Sequence, residues 1–296
     1  MMTEMKTVDD TRIARQKTDT PEDRRITKLI FDLLKTPWSE EMAKSIQERM
    51  VDFFDFAFAN IETPEKVRLF FERTLEESAQ ISKAHIASGE EYLTGIKDKK
   101  GVIVVVNHFG FYKATMVPNK NGKYPVALDT ISPFPVRLIA TKCLSDKLNV
   151  NLFETALELP TGLLEIQEVC NGITIPNEGT GRTQILIKKV EKTLDKNPRA
   201  IVVMYPEGGT SGKSNMGSPY DLLDDFQSGA FFVATALDLP ILPACIYLNT
   251  DKGLEVHILE PLSVNDLDEE RIKKVAQETK GRMQNKLDEL SKPKQF

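Results

Sequence analysis

The spacing of hydrophobic residues changes near residue 100, and this change divides the chain into two parts. Before it, apolar residues recur every three or four positions, as they do on the buried face of a helix. After it come short apolar runs rich in β-branched residues, beginning with Gly101–Val106, which are typical of strands buried on both faces of a sheet. The pattern predicts a helical segment over residues 20–98 and an α/β domain over residues 99–296.

The first part of the chain carries three sets of helix start signals. Thr20–Asp23 ("TPED") combines an N-cap, a proline at the first helical position and a capping acid. Ser39 is expected to cap the second helix, and Thr63-Pro64 to open a third that runs to about Ser88. Residues 1–19 are polar and show no periodic pattern, so we expect them to be disordered.

In the second part, strand-like runs alternate with helical patterns, for example over residues 183–194 and 222–237. This alternation predicts an α/β fold with a mostly parallel central sheet flanked by helices. A final amphipathic helix is expected over residues 266–290. Besides the first run, the strand-like runs are YPVALDT (124–130), GITIP (172–176), AIVVMYP (200–206), PILPACIYL (240–248) and LEVHILEP (254–261).

Composition and charge narrow the class of partner. The chain has 296 residues, of which 41% are hydrophobic, and a formal net charge of −5. No basic block dominates, so a nucleic-acid partner is not expected. The cysteines Cys143, Cys170 and Cys245 are widely spaced and form no CxxC pair. Neither a metal site nor a disulfide framework is therefore expected.

The sequence also bears on the expected location of the protein. The N-terminus has no apolar stretch of the kind found in secretory signals. The most apolar window, residues 230–248, is about long enough to span a bilayer, but Asp238, Pro240 and Pro243 interrupt it. We therefore expect a cytoplasmic protein whose contact with membranes is at most peripheral.

A glycine-rich loop follows the strand-like run at residues 200–206 and ends in Gly212-Lys213-Ser214. This ending matches a phosphate-binding P-loop, but Glu207 occupies the position of the first glycine of that motif. Gly217 and Pro219 also oppose the helix that should begin at Lys213. The loop is therefore not expected to bind ATP, and on its own it fits a flexible turn equally well.

His108 stands at the end of the apolar run that begins at Gly101, directly after Asn107. Open α/β sheets bind ligands at the carboxyl ends of their parallel strands, and histidine is the commonest general base near neutral pH. The alternative is a purely structural histidine. Of the other two histidines, His85 is expected on the surface of a helix and His257 within a strand.

Three motifs together resemble the glycerolipid acyltransferases, which include the glycerol-3-phosphate and lysophosphatidate acyltransferases. They are VVVNH (104–108), MYPEGGTS (204–211) and FQSGAFFVATALDLPILPA (226–244). Their order and spacing agree with the family over residues 101–262. The helical N-terminal segment is also similar to the helical domain of the plastid-type glycerol-3-phosphate enzymes.

The resemblance implies an enzyme of phospholipid biosynthesis with an acyl-CoA or acyl carrier protein as co-substrate and no further cofactor. It would move the fatty acyl group to a hydroxyl of glycerol-3-phosphate or a lysophospholipid. His108 would take the proton of that hydroxyl, and backbone amides would hold the oxyanion. The implied substrate-binding residues are Asn107, Lys113, Arg182, Glu207, Gly208, Gly209, Thr210, Ser211 and Lys213.

The sequence departs from the family pattern at the acid that should orient the catalytic histidine. The family carries Asp after four intervening residues, and this chain has Lys113. Asp129 and Glu178 are candidates to replace that acid from other loops. Phe109 is a candidate wall for the acyl chain, as are Phe111 and Tyr112, and plain core packing is the alternative for all three.

Other departures affect the expected phosphate contacts. The arginine that the family has in the glycine-rich loop is absent, which leaves Lys213 to bind the phosphate. The family also has an arginine at the end of an earlier phosphate-binding strand, and Arg182 lies several residues beyond that position. Gln227 replaces the usual lysine of the third motif. The pattern fits either a divergent enzyme with a different acceptor or a catalytically impaired relative that binds acyl chains or lipid.

Overall fold

A computed structural model describes residues 37–96, 99–109, 114–119, 122–127, 152–157, 164–176, 180–208, 220–222 and 226–292. The predictions for residues 1–36 lie outside these ranges. The helices are α1 (Pro37–Ala59), α2 (Pro64–Ile81), α3 (Leu164–Val169), α4 (Arg182–Lys196), α5 (Gly229–Leu237) and α6 (Glu269–Ser291), with a 3₁₀ helix at Glu90–Ile96. The strands are β1 (His85–Ser88), β2 (Gly101–Val106), β3 (Ala114–Asn119), β4 (Gly122–Ala127), β5 (Leu152–Leu157), β6 (Gly172–Ile175), β7 (Ala200–Met204), β8 (Ile241–Asn249) and β9 (Gly253–Ile258).

Within the described ranges, seven strands form one sheet in the order β1-β9-β8-β2-β7-β5-β6. Strands β8, β2, β7, β5 and β6 run parallel to their neighbours in this order. Strand β9 is antiparallel to β8, and β1 is parallel to β9. Helices α4 and α5 pack on each other and on central strands, and α6 packs on β8. This arrangement confirms the predicted α/β fold with a mostly parallel sheet and flanking helices.

The centre of the sheet is apolar because its strands are covered on both faces. Every residue of β2 and of β7 is buried. Their parallel register pairs Gly101 with Ala200 and Val105 with Met204. Parallel strands with both faces covered have near-continuous apolar sequences, so these two runs were recognisable in the sequence.

Helices α1 and α2 pack against each other through aromatic side chains. The rings of Phe56 and Phe70 are stacked with centroids 4.3 Å apart, and the rings of Phe53 and Phe71 lie 5.1 Å apart. Thr63 is the N-cap of α2, as predicted. Helix α1 begins at Pro37, three residues before the start that a cap at Ser39 would give, so the predicted cap is wrong.

The prediction that the third helix runs to Ser88 is wrong, and so is the assignment of His85 to it. Helix α2 ends at Ile81, and Lys83 adopts a positive φ of 50°, which a helix cannot continue through. Residues 85–88 then form β1, which pairs with β9 about 170 residues later. The hydrogen bonds of this long-range pairing override a local pattern that favoured a helix. The segment predicted as helical therefore contributes the edge strand of the sheet.

Three further elements differ from the predictions. The run at 124–130 lies partly in β4, which forms a separate antiparallel hairpin with β3 and is not part of the main sheet. Strand β5, which the apolar pattern did not predict, lies between β7 and β6. The helix expected over 222–237 begins only at Gly229. No helix within the described ranges is both long enough and apolar enough to cross a membrane.

Candidate active site

The residues that follow β2 and β7 meet at one edge of the sheet. These strands are parallel neighbours, and Val105 of β2 is paired with Met204 of β7. Asn107 and His108 come directly after β2, and Glu207 follows β7 by three residues. The topology therefore brings the NH motif (Asn107-His108) and the PEG motif (Pro206-Glu207-Gly208) together at the carboxyl ends of central strands, where open α/β sheets bind ligands.

A hydrogen bond joins these two motifs. The backbone N–H of His108 donates to Oε1 of Glu207 at 2.8 Å, across 99 positions of sequence. Glu207 is 3% exposed, and His108 is half-buried. A hydrogen bond to a charged acceptor is stronger than one between neutral groups. The bond holds the histidine backbone and places a buried carboxylate beside it.

Tyr205 packs against the imidazole of His108. The two ring centroids are 4.7 Å apart, and the ring planes are inclined by 51°. Tyr205 lies between the last residue of β7 and the PEG motif. The motifs did not single it out, although an aromatic residue directly before a PEG motif at a strand end was the available signal. The contact restricts the orientation of the imidazole.

Asn107 is part of the sheet edge. It is fully buried, and its Nδ2 donates to the carbonyl oxygen of Ile246 at 3.0 Å, while its Oδ1 accepts the Ile246 N–H at 2.7 Å. The side chain thus extends the pairing between β2 and β8 beyond the last residue of β2. Since both ends of the amide are engaged with backbone, this geometry fixes the chain directly before His108, and the predicted contact of Asn107 with substrate stays a prediction.

Phe109 belongs to the core. Its side chain is fully buried and stacks on Tyr220 with ring centroids 5.1 Å apart and planes 9° apart. The Tyr220 ring in turn lies 4.8 Å from that of Tyr247. This packing anchors the polypeptide immediately after His108. Of the two roles considered for Phe109, an acyl-chain wall or core packing, the structure shows core packing. Phe111 and Tyr112 lie outside the described residues.

The third motif closes against the PEG turn. The backbone N–H of Gln227 donates to the carbonyl oxygen of Pro206 at 2.6 Å. Gly208 has a positive φ of 63°, and a Cβ at this position would come within 3.0 Å of the Gln227 side chain. Glycine fits both the left-handed backbone and the close approach. All three motifs that carry the family resemblance are therefore contiguous in space.

Arg182 lies on the same edge of the sheet, farther from His108. It is the first residue of α4, which follows β6, and Gly181 with φ 77° is the N-cap. Strand β6 is three positions from β2 in the sheet, which corresponds to about 14 Å at the usual strand spacing. The Nε atom of Arg182 is buried without a hydrogen-bond partner among the described residues. A guanidinium at a helix N-terminus is suited to bind an anion.

The remaining predicted residues of the site lie outside the described ranges. They are Lys113, Gly209, Thr210, Ser211 and Lys213. The same holds for Asp129 and Glu178, the two acids considered as replacements for the missing aspartate. Their proposed roles stay predictions.

The two described cysteines do not offer a reactive thiolate. Burial raises the pKa of Cys245 to about 12, and its Sγ donates to the carbonyl oxygen of Met283 at 3.6 Å. Burial likewise raises the pKa of Cys170. Thiols in this state are poor nucleophiles and metal ligands. Among the described residues, no group of three His, Cys, Asp or Glu side chains could hold a metal ion.

Comparison of the chain with protein-family models finds no match, and a search of curated proteins also finds none. The resemblance to the glycerolipid acyltransferases therefore depends on the three motifs and on their proximity in the fold.

Proposed function

We propose that the protein is a glycerolipid O-acyltransferase that moves a fatty acyl group from acyl-CoA or acyl carrier protein to a hydroxyl of glycerol-3-phosphate or a lysophospholipid. The observation that carries this proposal is the hydrogen bond from the His108 N–H to Glu207 Oε1 at 2.8 Å. It joins the two motifs that the chemistry requires, at the edge of the sheet where ligands bind in this class of fold.

In the proposed reaction, His108 acts as the general base. Its imidazole takes the proton of the acceptor hydroxyl as the hydroxyl oxygen attacks the thioester carbonyl. The tetrahedral intermediate then collapses, the carbon–sulfur bond breaks, and the leaving thiolate takes the proton from the imidazolium. The Tyr205 ring, 4.7 Å from the imidazole, keeps the base in a limited range of orientations.

Glu207 takes over the electrostatic role of the missing aspartate in this proposal. Lys113 occupies the position at which the family has its acid. The Glu207 carboxylate is buried and bonded to the backbone of the catalytic residue itself. Because buried charges are screened weakly, this carboxylate stabilises the imidazolium that forms during proton transfer. The role differs from the substrate contact expected from the sequence.

Among the described residues, Arg182 is the candidate to bind the acceptor phosphate. Arg182 is the first residue of α4, on the same edge of the sheet as His108. Its Nε is buried without a hydrogen-bond partner among the described residues. A phosphate oxygen would supply the acceptor that this nitrogen lacks. Lys113 and Lys213 are the other predicted cationic contacts, and peripheral contact with a membrane would bring a lysophospholipid to the same edge.

The decisive experiment measures formation of the acylated acceptor by the purified protein, because hydrolysis of the thioester alone does not yield this product. Acyl-CoA and acyl carrier protein are each offered with glycerol-3-phosphate and then with lysophosphatidate. We expect turnover that falls about 10²–10⁴-fold in His108→Ala. His85→Ala is the matched control, since His85 lies in edge strand β1, where its ring Nδ1 bonds to the Lys83 carbonyl oxygen. This variant should retain full activity.

Turnover that persists in His108→Ala would overturn the role of the base. Absence of turnover with every pair of donor and acceptor, in protein with a native circular dichroism spectrum, would overturn the proposed enzymatic activity. The substitution of Lys113 for the family's acid favours one alternative in that case, a catalytically impaired relative that binds acyl chains or lipid. Saturable binding of a fluorescent fatty acid without turnover would support it.

A further inference from the structure

A serine, a histidine and a glutamate form a hydrogen-bonded chain between edge strand β1 and its neighbour β9. Ser88 Oγ lies 3.0 Å from Nδ1 of His257, and Nε2 of the same ring lies 3.1 Å from Oε2 of Glu255. The other carboxylate oxygen, Oε1, accepts from Nδ2 of Asn249 at 2.9 Å. The chain joins residues 169 positions apart in the sequence.

The proton positions in this chain follow from the chemistry of the groups. An ionised carboxylate can only accept hydrogen bonds, and both oxygens of Glu255 are engaged by donors. Nε2 of His257 therefore carries the proton, and in the neutral ring Nδ1 is the acceptor. The hydroxyl of Ser88 then donates to a basic nitrogen. This is the arrangement in which a neighbouring base activates a serine.

The exposure of the three side chains also fits a serine activated by a neighbouring base. Ser88 is exposed, whereas His257 and Glu255 are 5% and 6% exposed. The serine thus lies at the surface, while the base and the acid that orients it are shielded from water. Desolvation by burial lowers the pKa of His257, although the hydrogen bond to Glu255 opposes this effect, so the imidazole is neutral and able to accept a proton near pH 7.

The backbone around Ser88 is shaped to present it. The register of β1 against β9 shifts between Ile86 and Ser88, and such bulges redirect a side chain. Gly89 follows with a positive φ of 81°, and any Cβ there would collide with the carbonyl of Ile258. The chain therefore turns away from the sheet directly after the serine and enters the 3₁₀ helix at Glu90–Ile96.

We propose that Ser88, His257 and Glu255 form a second catalytic centre, in which Ser88 attacks carboxylic esters or thioesters presented at the surface. Oγ forms a bond to the carbonyl carbon as its proton passes to His257 Nδ1. The bond to the leaving alkoxide or thiolate then breaks, and the leaving group takes that proton. Water repeats the sequence on the acyl-serine and releases a carboxylic acid, so no further reactant is needed.

This centre is separate from the proposed acyltransferase site. Strand β9 lies two positions from β2 in the sheet, which places its backbone about 10 Å away at the usual strand spacing. The base of one centre follows β2, and the base of the other lies within β9. Variants of the two centres therefore separate the two activities.

The test is covalent labelling of the native full chain with a fluorophosphonate probe, which reacts with activated serine hydroxyls. We expect an adduct on Ser88, located by peptide mass spectrometry, and hydrolysis of p-nitrophenyl acetate that is lost in Ser88→Ala and kept in Ser263→Ala. His257→Gln should slow labelling more than about tenfold. Ser263→Ala is the control, because this exposed serine bonds to Asn265 and not to a histidine.

A folded wild-type protein without an adduct on Ser88 would overturn the proposal and leave a structural role for the chain of hydrogen bonds. Labelling that is equal in His257→Gln and the wild type would also overturn it. If His257→Gln does not fold, the pH profile of wild-type labelling decides. The rate should rise with pH through the lowered pKa of His257 and then level off, and a rate that instead climbs steadily through about pH 9, toward the range where a free hydroxyl reacts, would contradict activation by this base.

Discussion

The backbone N–H of His108 lies 2.8 Å from Oε1 of Glu207, so a buried carboxylate is bonded to the main chain of the proposed catalytic base. The two residues belong to motifs 99 positions apart and meet because β2 and β7 are parallel neighbours. The carboxylate therefore has two separable properties, since it accepts a hydrogen bond and it carries a negative charge.

Replacing Glu207 by Gln separates these two properties. The amide oxygen can still accept the His108 N–H, while the negative charge at the His108 backbone is removed. We expect a native fold and a fall in kcat of about 10–100-fold, equivalent to about 1.4–2.7 kcal/mol of transition-state stabilisation. Formation of the acylated acceptor at saturating acceptor measures the change. A Gln variant with wild-type kcat would show that the charge plays no part in the reaction.

Asn107→Ala should destabilise the protein strongly. The change removes both hydrogen bonds to Ile246 and leaves that residue's buried N–H and carbonyl without their partner. An unsatisfied buried polar group costs about 1–3 kcal/mol, so we expect the free energy of unfolding to fall by at least about 2 kcal/mol. Urea denaturation provides the measurement. Exposed Asn265 is the control, and its change to Ala should stay within about 0.5 kcal/mol.

Gly208→Ala should disturb the PEG turn. An alanine at this position must adopt φ 63°, and its Cβ would lie 3.0 Å from the Gln227 side chain. The left-handed conformation alone costs an L-residue about 1–2 kcal/mol. We expect a loss of stability of this size and a lower rate of acyl transfer, measured by denaturation and by formation of the acylated acceptor.

Gly281→Ala is the matched control for that prediction. Gly281 lies in α6, where a Cβ would meet no atom within 4 Å, and its φ is not positive. Alanine in a helix interior should therefore stabilise the protein by about 0.5–1 kcal/mol and leave turnover unchanged. Equal destabilisation by the two substitutions would contradict the special role of the Gly208 backbone.

The stability of the protein should decrease as the pH falls below the ordinary pKa of histidine, about 6.5. Burial lowers the pKa of His257 in the folded state, while Glu255 opposes this, and Lys286 and Glu289 of α6 also act on the ring. The unfolded chain therefore binds a proton at higher pH than the folded one. The stability that this group contributes is present above about pH 6.5 and is lost as the pH falls toward the lower folded pKa.

Denaturation at about pH 7.5, 6.5 and 5.5 tests this linkage, with His257→Gln measured alongside. The variant lacks the titrating ring, so its free energy of unfolding should fall less between the two lower pH values than that of the wild type. Equal pH dependence in the two proteins would contradict the lowered pKa of His257.

Local sequence was sufficient to predict two kinds of element. They are strands that are buried on both faces and helices whose first residues carry capping signals. Strands β2 and β7 are continuous apolar runs because both of their faces are covered. Helix α2 starts after Thr63 with a proline in its first turn, and α6 starts after Asp268, whose side chain accepts the Arg271 N–H at 2.8 Å. These features act within a few residues, so they can be recognised without knowledge of the fold.

Strands β1 and β5 show where local sequence is insufficient. The four residues of β1 continue a helical pattern, and β5 carries Glu154 among helix-forming residues. Each becomes a strand because neighbouring strands supply partners for its backbone groups, β9 for one and both β7 and β6 for the other. Such partners are distant in sequence, so a short segment does not reveal them.

The sequence by itself determined the class of fold, the central strands and the motifs that single out His108 and Glu207. Only the tertiary structure decided that Glu207 bonds to the backbone of His108, that Asn107 completes the pairing of β2 with β8, and that Ser88 meets His257. Periodicity and end signals reflect interactions between residues close in the chain. Contacts between side chains about a hundred or more positions apart depend on strand order and register, which no local pattern specifies.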